Sequence, residues 1–239
     1  MAYIPKLWKK ISGIITPFND TDNVSVSNND LILPKDSGKG IKVDINSPTF
    51  GYKDLVGQII PRAGGAPAPS LVAFRGTYIK NYAFQAGDII DNITFHIPHD
   101  YAPGTDMYLH VHWGHHGTAI SGNLVIDWYI TYCKGYNQSG QTFNSEINVT
   151  QTIPTPNITT IPQYAHNIHE FQFTNNGGNS THIDRNLLEI DGLIQIALKT
   201  TTIPTITGGA TNLPFIFTVD IHYQSSGIAT KNKNYPFYT

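Results

Sequence analysis

From Leu71 to Gln224 apolar and polar side chains alternate with a period of two, the pattern of strands that bury one face. In Asn92–Ile97, Ile93, Phe95 and Ile97 share one face, while Asn92, Thr94 and His96 share the other. In Asp106–Trp113, Met107, Leu109, Val111 and Trp113 point one way and Tyr108, His110 and His112 the other. In Asn123–Tyr132, Leu124, Ile126, Trp128, Ile130 and Tyr132 oppose Val125, Asp127, Tyr129 and Thr131. In Phe215–Gln224, Phe215, Phe217, Val219, Ile221 and Tyr223 oppose Ile216, Thr218, Asp220, His222 and Gln224. Further strands are predicted over Leu71–Arg75, Thr77–Phe84, Glu146–Ile153, His169–Thr174 and Glu189–Thr200, with Gly or Pro breaks between them. Leu193–Leu198 has helical propensity, but Gly192 before it and the Thr run after it favour a strand. No stretch sustains a 3.6-residue apolar period, so helices are expected to be few and short. About eight or nine strands at this spacing predict an all-β fold, a jelly-roll-like β-sandwich. No fixed-period repeat points to a solenoid or propeller.

The first 69 residues read differently. Asn19–Asp30 is turn-rich, Ser37–Gly40 reads SGKG, and Pro61–Pro69 is a Gly/Ala/Pro run. The apolar pieces Leu31–Leu33, Ile41–Ile45 and Leu55–Ile60 are too short to close a core of their own. The expected organisation is an extended docking arm and linker over 1–69, the sandwich over 70–226 and a short C-terminal tail over 227–239. Phe50, Tyr52, Leu55 and Ile59 are the expected docking residues of the arm. In the tail, ATKNKNYPFYT sets Tyr235, Phe237 and Tyr238 behind a polar spacer, for docking or for packing on its own domain.

Composition narrows the partners. Of 239 residues 13% are charged and the formal net charge is -2, which supplies no basic field for nucleic acid or an anionic membrane. Polarity comes from Thr, Asn, Ser, Gln and Gly, suited to pleated surfaces and turns. Cys133 is the sole cysteine, so no intrachain disulfide can form, and its place in a strand-like run reads as a small buried hydrophobe. The apolar stretch in MAYIPKLWKKISGIITPF is too short and interrupted for a signal peptide or anchor. The Asn-x-Thr triplets at Asn92, Asn148 and Asn157 read as chance in an Asn/Thr-rich chain.

Candidate chemistry concentrates in His96–His116, HIPHDYAPGTDMYLHVHWGHH, which holds six of the ten histidines. His110 and His112 project from one face of one strand, a geometry able to clamp Zn or another borderline metal. If Asn92–Ile97 and Asp106–Trp113 form a hairpin, His96 lies beside them, and His222, with Asp220 on its face, is a distant further ligand. The competing reading, favoured on frequency, is a polar sheet face whose histidines bond to Asp, Tyr and backbone groups. Cupins also carry an H-x-H strand, but WGHHGTAI after His112 lacks the acidic residue they need. A catalytic metal would also need a nearby base, for which Asp106 and Asp127 are loose candidates, while Glu170 and Glu189 read as solvated. GKG at Gly38–Gly40 is a turn rather than a P-loop, and no G-x-S-x-G elbow occurs. Tyr78, Tyr82 and Tyr101 could stack on sugar, a role more often filled by core or interface packing. No catalytic residue is assigned, an enzyme is not expected, and beyond a divalent metal no cofactor is implied.

The runs SGKGIKVDINSPTFGYKDLVGQI (Ser37–Ile59), IPHDYAPGTDMYLHVHWGH (Ile97–His115) and VDIHYQSSGIATKNKNYPFY (Val219–Tyr238) resemble a widespread group of tailed-bacteriophage virion proteins. The resemblance implies a structural protein of the particle, of head decoration, cement or fibre-base type. It further implies assembly in the host bacterial cytoplasm, the major capsid protein or other virion proteins as partners, and a homo-oligomer, with a trimer favoured. Two rivals come from other classes: a carbohydrate-binding adhesin module at the tail, and a His-dependent metalloenzyme.

Overall fold

The computed structural model describes residues 8–11, 14–17, 51–61, 67–135, 138–227, 229–230 and 232–237. The chain divides into two compact units, 1–42 and 43–239. In the first, β1 (Trp8–Ile11) and β2 (Ile14–Pro17) pair antiparallel, with Trp8 opposite Pro17. Of the expected docking residues, Phe50 and Tyr238 lie outside the described residues, as do the apolar pieces 31–33 and 41–45.

Among its described residues the second unit is all β apart from one 3-10 turn, Arg185–Leu187. Its strands begin with β3 (Gly51–Gly57), β4 (Ser70–Ala73), β5 (Lys80–Ala83), β6 (Ile89–His96), β7 (Tyr108–Gly114) and β8 (Ala119–Ser121). They continue with β9 (Asn123–Cys133), β10 (Ile147–Pro154), β11 (Asn167–Gln172), β12 (Thr174–Asn175) and β13 (Ile183–Asp184). The last are β14 (Leu193–Thr202), β15 (Thr205–Thr207) and β16 (Phe215–Ser225). One sheet has the order β10-β9-β14-β6, and the other runs β11-β7-β16-β5-β4 with β3 also on β16. The chain therefore passes from β5 in the second sheet to β6 in the first, back to β7, across to β9 and β10, back to β11, across to β14 and home to β16. This wrapping of eight antiparallel strands, four from each sheet, is the jelly roll that the alternation predicts, with β3 and β4 enlarging the second sheet to six strands.

The alternation sets the core because successive side chains point to opposite faces. Leu124, Ile126, Trp128 and Ile130 of β9 and Ile194, Ile196 and Leu198 of β14 are buried on the inner face of one sheet. They meet Leu109, Val111 and Trp113 of β7 and Val219 and Ile221 of β16 from the other. Phe84, Tyr101, Met107 and Phe173, all with no exposed surface, plug the ends of this layer. Cys133 is buried as a free thiol.

Three departures from the sequence pattern have physical causes. Strand β16 carries a register shift against β7 between Ile216 and Thr218, so two residues oppose one. Ile216 therefore joins the core with Val219, while Phe217 and the fully buried Phe215 pack on the other face against Phe74, at ring distances of 4.8 and 5.1 Å. The predicted strand from Thr77 begins only at Lys80, because the Phe74 amide donates to the Ile79 carbonyl and closes a turn there. The predicted boundary at 69 is also displaced. Residues 51–57 form β3, which pairs with β16 from Gly51 opposite Ser225 to Gly57 opposite Val219. Leu55 and Ile59 pack against the domain's own core, whereas Tyr52 stays half exposed. In the tail, Phe237 is buried against its own domain, edge-on to His99, and Tyr235 remains exposed.

Asp100 fastens β3 to the end of β16. Its carboxylate accepts from Lys53 Nζ at 2.5 Å, Ser225 Oγ at 2.7 Å and the Tyr223 hydroxyl at 2.9 Å. Burial raises its pKa, but these three donors outweigh burial and hold the group below the usual carboxylate range. A depressed folded pKa adds stability above the unfolded value of about 3.9, lost as pH falls through the folded value. With Lys53 more than half exposed, Asp100→Asn is expected to cost only about 1–2 kcal/mol at neutral pH. In thermal melts the gap to wild type should close as pH drops below 4 or so. A second check addresses the seat of β3. A Cβ on Gly57 would lie 2.5 Å from Ile93 Cγ2 and 2.9 Å from the Val219 carbonyl oxygen. Gly57→Ala should therefore destabilise by about 1–3 kcal/mol in denaturant titration, through overpacking between the sheets.

Candidate metal centre

Because Leu109, Val111 and Trp113 face the core, His110 and His112 must stand on the outer face of the six-stranded sheet. Register then decides their company. One cross-strand row runs Val56, Asp220, His110, Glu170 over β3, β16, β7 and β11. The next runs Asp54, His222, Tyr108, Gln172, and on the other side lie Thr218, His112 and Ile168. Three histidines and three carboxylates are thus contributed by four strands.

His110 Nε2 lies 2.9 Å from Glu170 Oε2, and its ring lies 3.7 Å from the His222 ring between centroids. Its Nδ1 has no hydrogen-bond partner and faces Asp220 Oδ1 at 3.7 Å. The same Asp220 oxygen is 3.1 Å from His112 Nε2, and His112 Nδ1 is 2.7 Å from His166 Nε2. His222 Nε2 contacts Asp54 Oδ1 at 2.5 Å. Although they stand on an outer face, the His110 and Asp220 side chains keep only 9% and 7% of their exposure. Three overlapping sets place their ligand atoms within 4.8 Å of one another: His110, Glu170, His222; His110, His112, Asp220; and Asp54, Asp220, His222. Imidazole nitrogens with carboxylate oxygens are the donor set of borderline divalent metals.

Of the four histidines read from the sequence, His110, His112 and His222 converge and His96 does not. Strand β6 belongs to the opposite sheet, since residues 97–107 cross between layers rather than turn a hairpin. His96 instead lies 3.4 Å from Asp191, which also pairs with His99 at 3.1 Å. Glu170 is solvated as expected, with 54% of its side chain exposed, and its Oε2 also meets His110 Nε2. Glu170, His166 and Asp54 were hidden from a sequence reading because only strand register brings them in. The candidate bases are elsewhere: Asp106 pairs with Arg185 at 2.7 Å and Asp127 accepts from Thr150 at 2.6 Å.

His115 and His116 belong to the loop after β7 and are buried. His115 Nε2 contacts the Ile161 carbonyl at 3.0 Å. Both ring nitrogens of buried His116 lack hydrogen bonds, and its ring packs 4.5 Å from Phe215 and 5.4 Å from Phe74. This aromatic pocket explains the unusual burial of a polar side chain.

No family model matches the chain, and no curated protein matches it. Among solved structures there is a likeness to the Clostridium thermocellum N-terminal endo-1,4-beta-D-xylanase 10B, CBM22-1–GH10 modules complexed with xylohexaose. Identity is 12%, the TM-score is 0.30, and the match covers 76% of this chain and 28% of that one. The chain therefore spans less than a third of that structure's length, and so slight a likeness carries no inference.

Desolvation pushes the His116 pKa below the ordinary imidazole range, partly opposed by the nearby Phe74 backbone, with charge on His115 adding to the fall. A depressed histidine pKa means that the unfolded chain binds the proton more tightly, so this group costs stability as pH falls through about 6.5. His116→Phe should therefore melt at least as high as wild type at neutral pH and lose less stability between about pH 7 and 5. A steeper acid loss in the variant would contradict this.

Proposed function

We propose that this chain is a structural subunit of a tailed-bacteriophage particle, a jelly roll that docks on a neighbouring virion subunit through one flank of its six-stranded sheet. The sequence resemblance supports the setting. The observation that carries the docking role is where large apolar side chains stay exposed. Val56 and Ile60 are 72% and 61% exposed at the end of β3, and Leu71, Tyr78 and Ile79 are 55%, 94% and 69% exposed on the β4–β5 hairpin. These segments meet along one side of β16, where pairing to β3 ends at Val219 and pairing to β5 begins at Ile216. The notch between them is lined by apolar Val56, Ile59 and Tyr82 and by polar Gln58, Lys80 and Asn81. Of the eleven large apolar side chains exposed among the described residues, the five on this flank are the most exposed, the mark of a surface that a partner covers, and among those residues β4 is an edge strand open to strand addition.

The test is the protein content of purified particles from cells whose phage genome carries this sequence. Wild type is expected in the particle's mass spectrum. A Leu71→Lys, Tyr78→Ser double variant should melt like wild type yet incorporate more than about tenfold less, since each lost anchor removes roughly 1.5–3 kcal/mol of apolar burial. Absence from the particles, or normal incorporation of the double variant, overturns the proposal. Glycan-array binding by a chain absent from particles would favour the host-surface adhesin instead.

A further inference from the structure

The strongest signal outside the docking flank is the orphaned nitrogen of His110. An ionised carboxylate only accepts hydrogen bonds, so the Glu170 contact places the His110 proton on Nε2. In the neutral ring Nδ1 is then a bare lone pair. It is buried, it has no donor within reach, and the group it faces is another acceptor, the Asp220 carboxylate. Two acceptors turned toward each other away from water repel, unless a cation lies between them.

We propose that His110 Nδ1, His112 Nε2 and the Asp220 carboxylate bind a divalent transition metal of the Zn2+ class. The three residues place ligand atoms within 4.8 Å of one another, and the two separations from Asp220 match the metal's size. Ligand atoms bound tetrahedrally at about 2.0–2.1 Å from Zn2+ lie roughly 3.4 Å apart. Asp220 Oδ1 stands 3.1 Å from His112 Nε2 and 3.7 Å from His110 Nδ1, on either side of that spacing. The surrounding partners suit ligation as well. Glu170 holds the outer nitrogen of His110, the carboxylate–histidine–metal pattern that fixes a ligating ring and its tautomer. His166 can accept the Nδ1 proton of His112, which leaves His112 Nε2 free for the metal. Three protein ligands leave a fourth position for water or for a group brought by another molecule. The alternative, a protonated His110 bridging Glu170 and Asp220, is disfavoured because 3.7 Å is too long for its second hydrogen bond.

The inference is independent of the virion reading. Tag-free full-length chain, stripped with chelator, is titrated with Zn2+ by calorimetry and with Co2+ as a visible-absorption reporter of coordination. One metal per chain is expected, with tetrahedral Co2+ bands. His110→Gln and His112→Gln should each abolish binding and the bands while keeping the wild-type circular dichroism spectrum. Glu170→Ala, which removes only the orienting partner, should weaken Zn2+ by about ten- to a hundredfold. His96→Gln, on the opposite sheet, should bind like wild type. No binding by the folded wild-type chain, undiminished binding by His110→Gln and His112→Gln, or loss of binding by His96→Gln overturns the proposal. Should a glutamine variant fail to fold, Asp220→Asn replaces it, with loss of the Co2+ bands as the same criterion.

Discussion

The structure depends on the double pairing of β16. This strand lies between β7 on one side and β5 and β3 on the other, so its backbone is bonded along nearly its whole length. A central strand has no freedom to rotate, and its period of two is imposed on both faces at once. Val219 and Ile221 must then fill the core, and Asp220 and His222 must stand outside it. The histidine face is a consequence of building the core correctly.

That constraint also explains what could be read from the sequence. Alternation within a strand is local, so the sandwich, most of its strands and the shared face of His110 and His112 were legible. Asp220 and His222 were likewise placed on one face of β16. Register between strands is not local. Glu170 opposes His110 only because β11 is antiparallel to β7 with Phe171 opposite Leu109, and nothing within NIHEFQ announces this. The place of His96 beside His110 and His112 depends on a hairpin between β6 and β7, whereas in a jelly roll such a connection carries the chain from one sheet to the other. The bulge at Phe217 was invisible because an unbroken run such as FIF fits either face equally well.

The N-terminal segment teaches a related lesson. Of its apolar pieces, only 55–60 lies among the described residues, and there Leu55 and Ile59 pack on the domain's own core. The nearest surface for residues 51–57 is the open side of β16 in the same chain. Gly57 permits this, since any side chain there would strike Ile93 and Phe95. Asp100 then converts an edge contact into a fastened strand, gathering Lys53, Ser225 and the Tyr223 hydroxyl onto one carboxylate.

Two histidine clusters of similar composition now separate on physical grounds. His96 and His99 share Asp191 at the rim of the opposite sheet, where their side chains keep 56% and 33% of their exposure and water can serve any nitrogen. His99 also contacts Thr230 through Nδ1, so that group is accounted for within the fold. His110 has neither resource, for it is buried and one of its two nitrogens lacks a donor. A buried acceptor without a partner costs roughly 1–3 kcal/mol, comparable to a large share of a domain's net stability. Substituting an apolar residue would remove that cost, as the aromatic seat of His116 shows that this sheet can accommodate rings. What separates the two sites is the neighbourhood: His116 looks onto Phe74 and Phe215, whereas His110 looks onto a buried carboxylate and a second imidazole. Only the second arrangement becomes favourable when a positive charge is added.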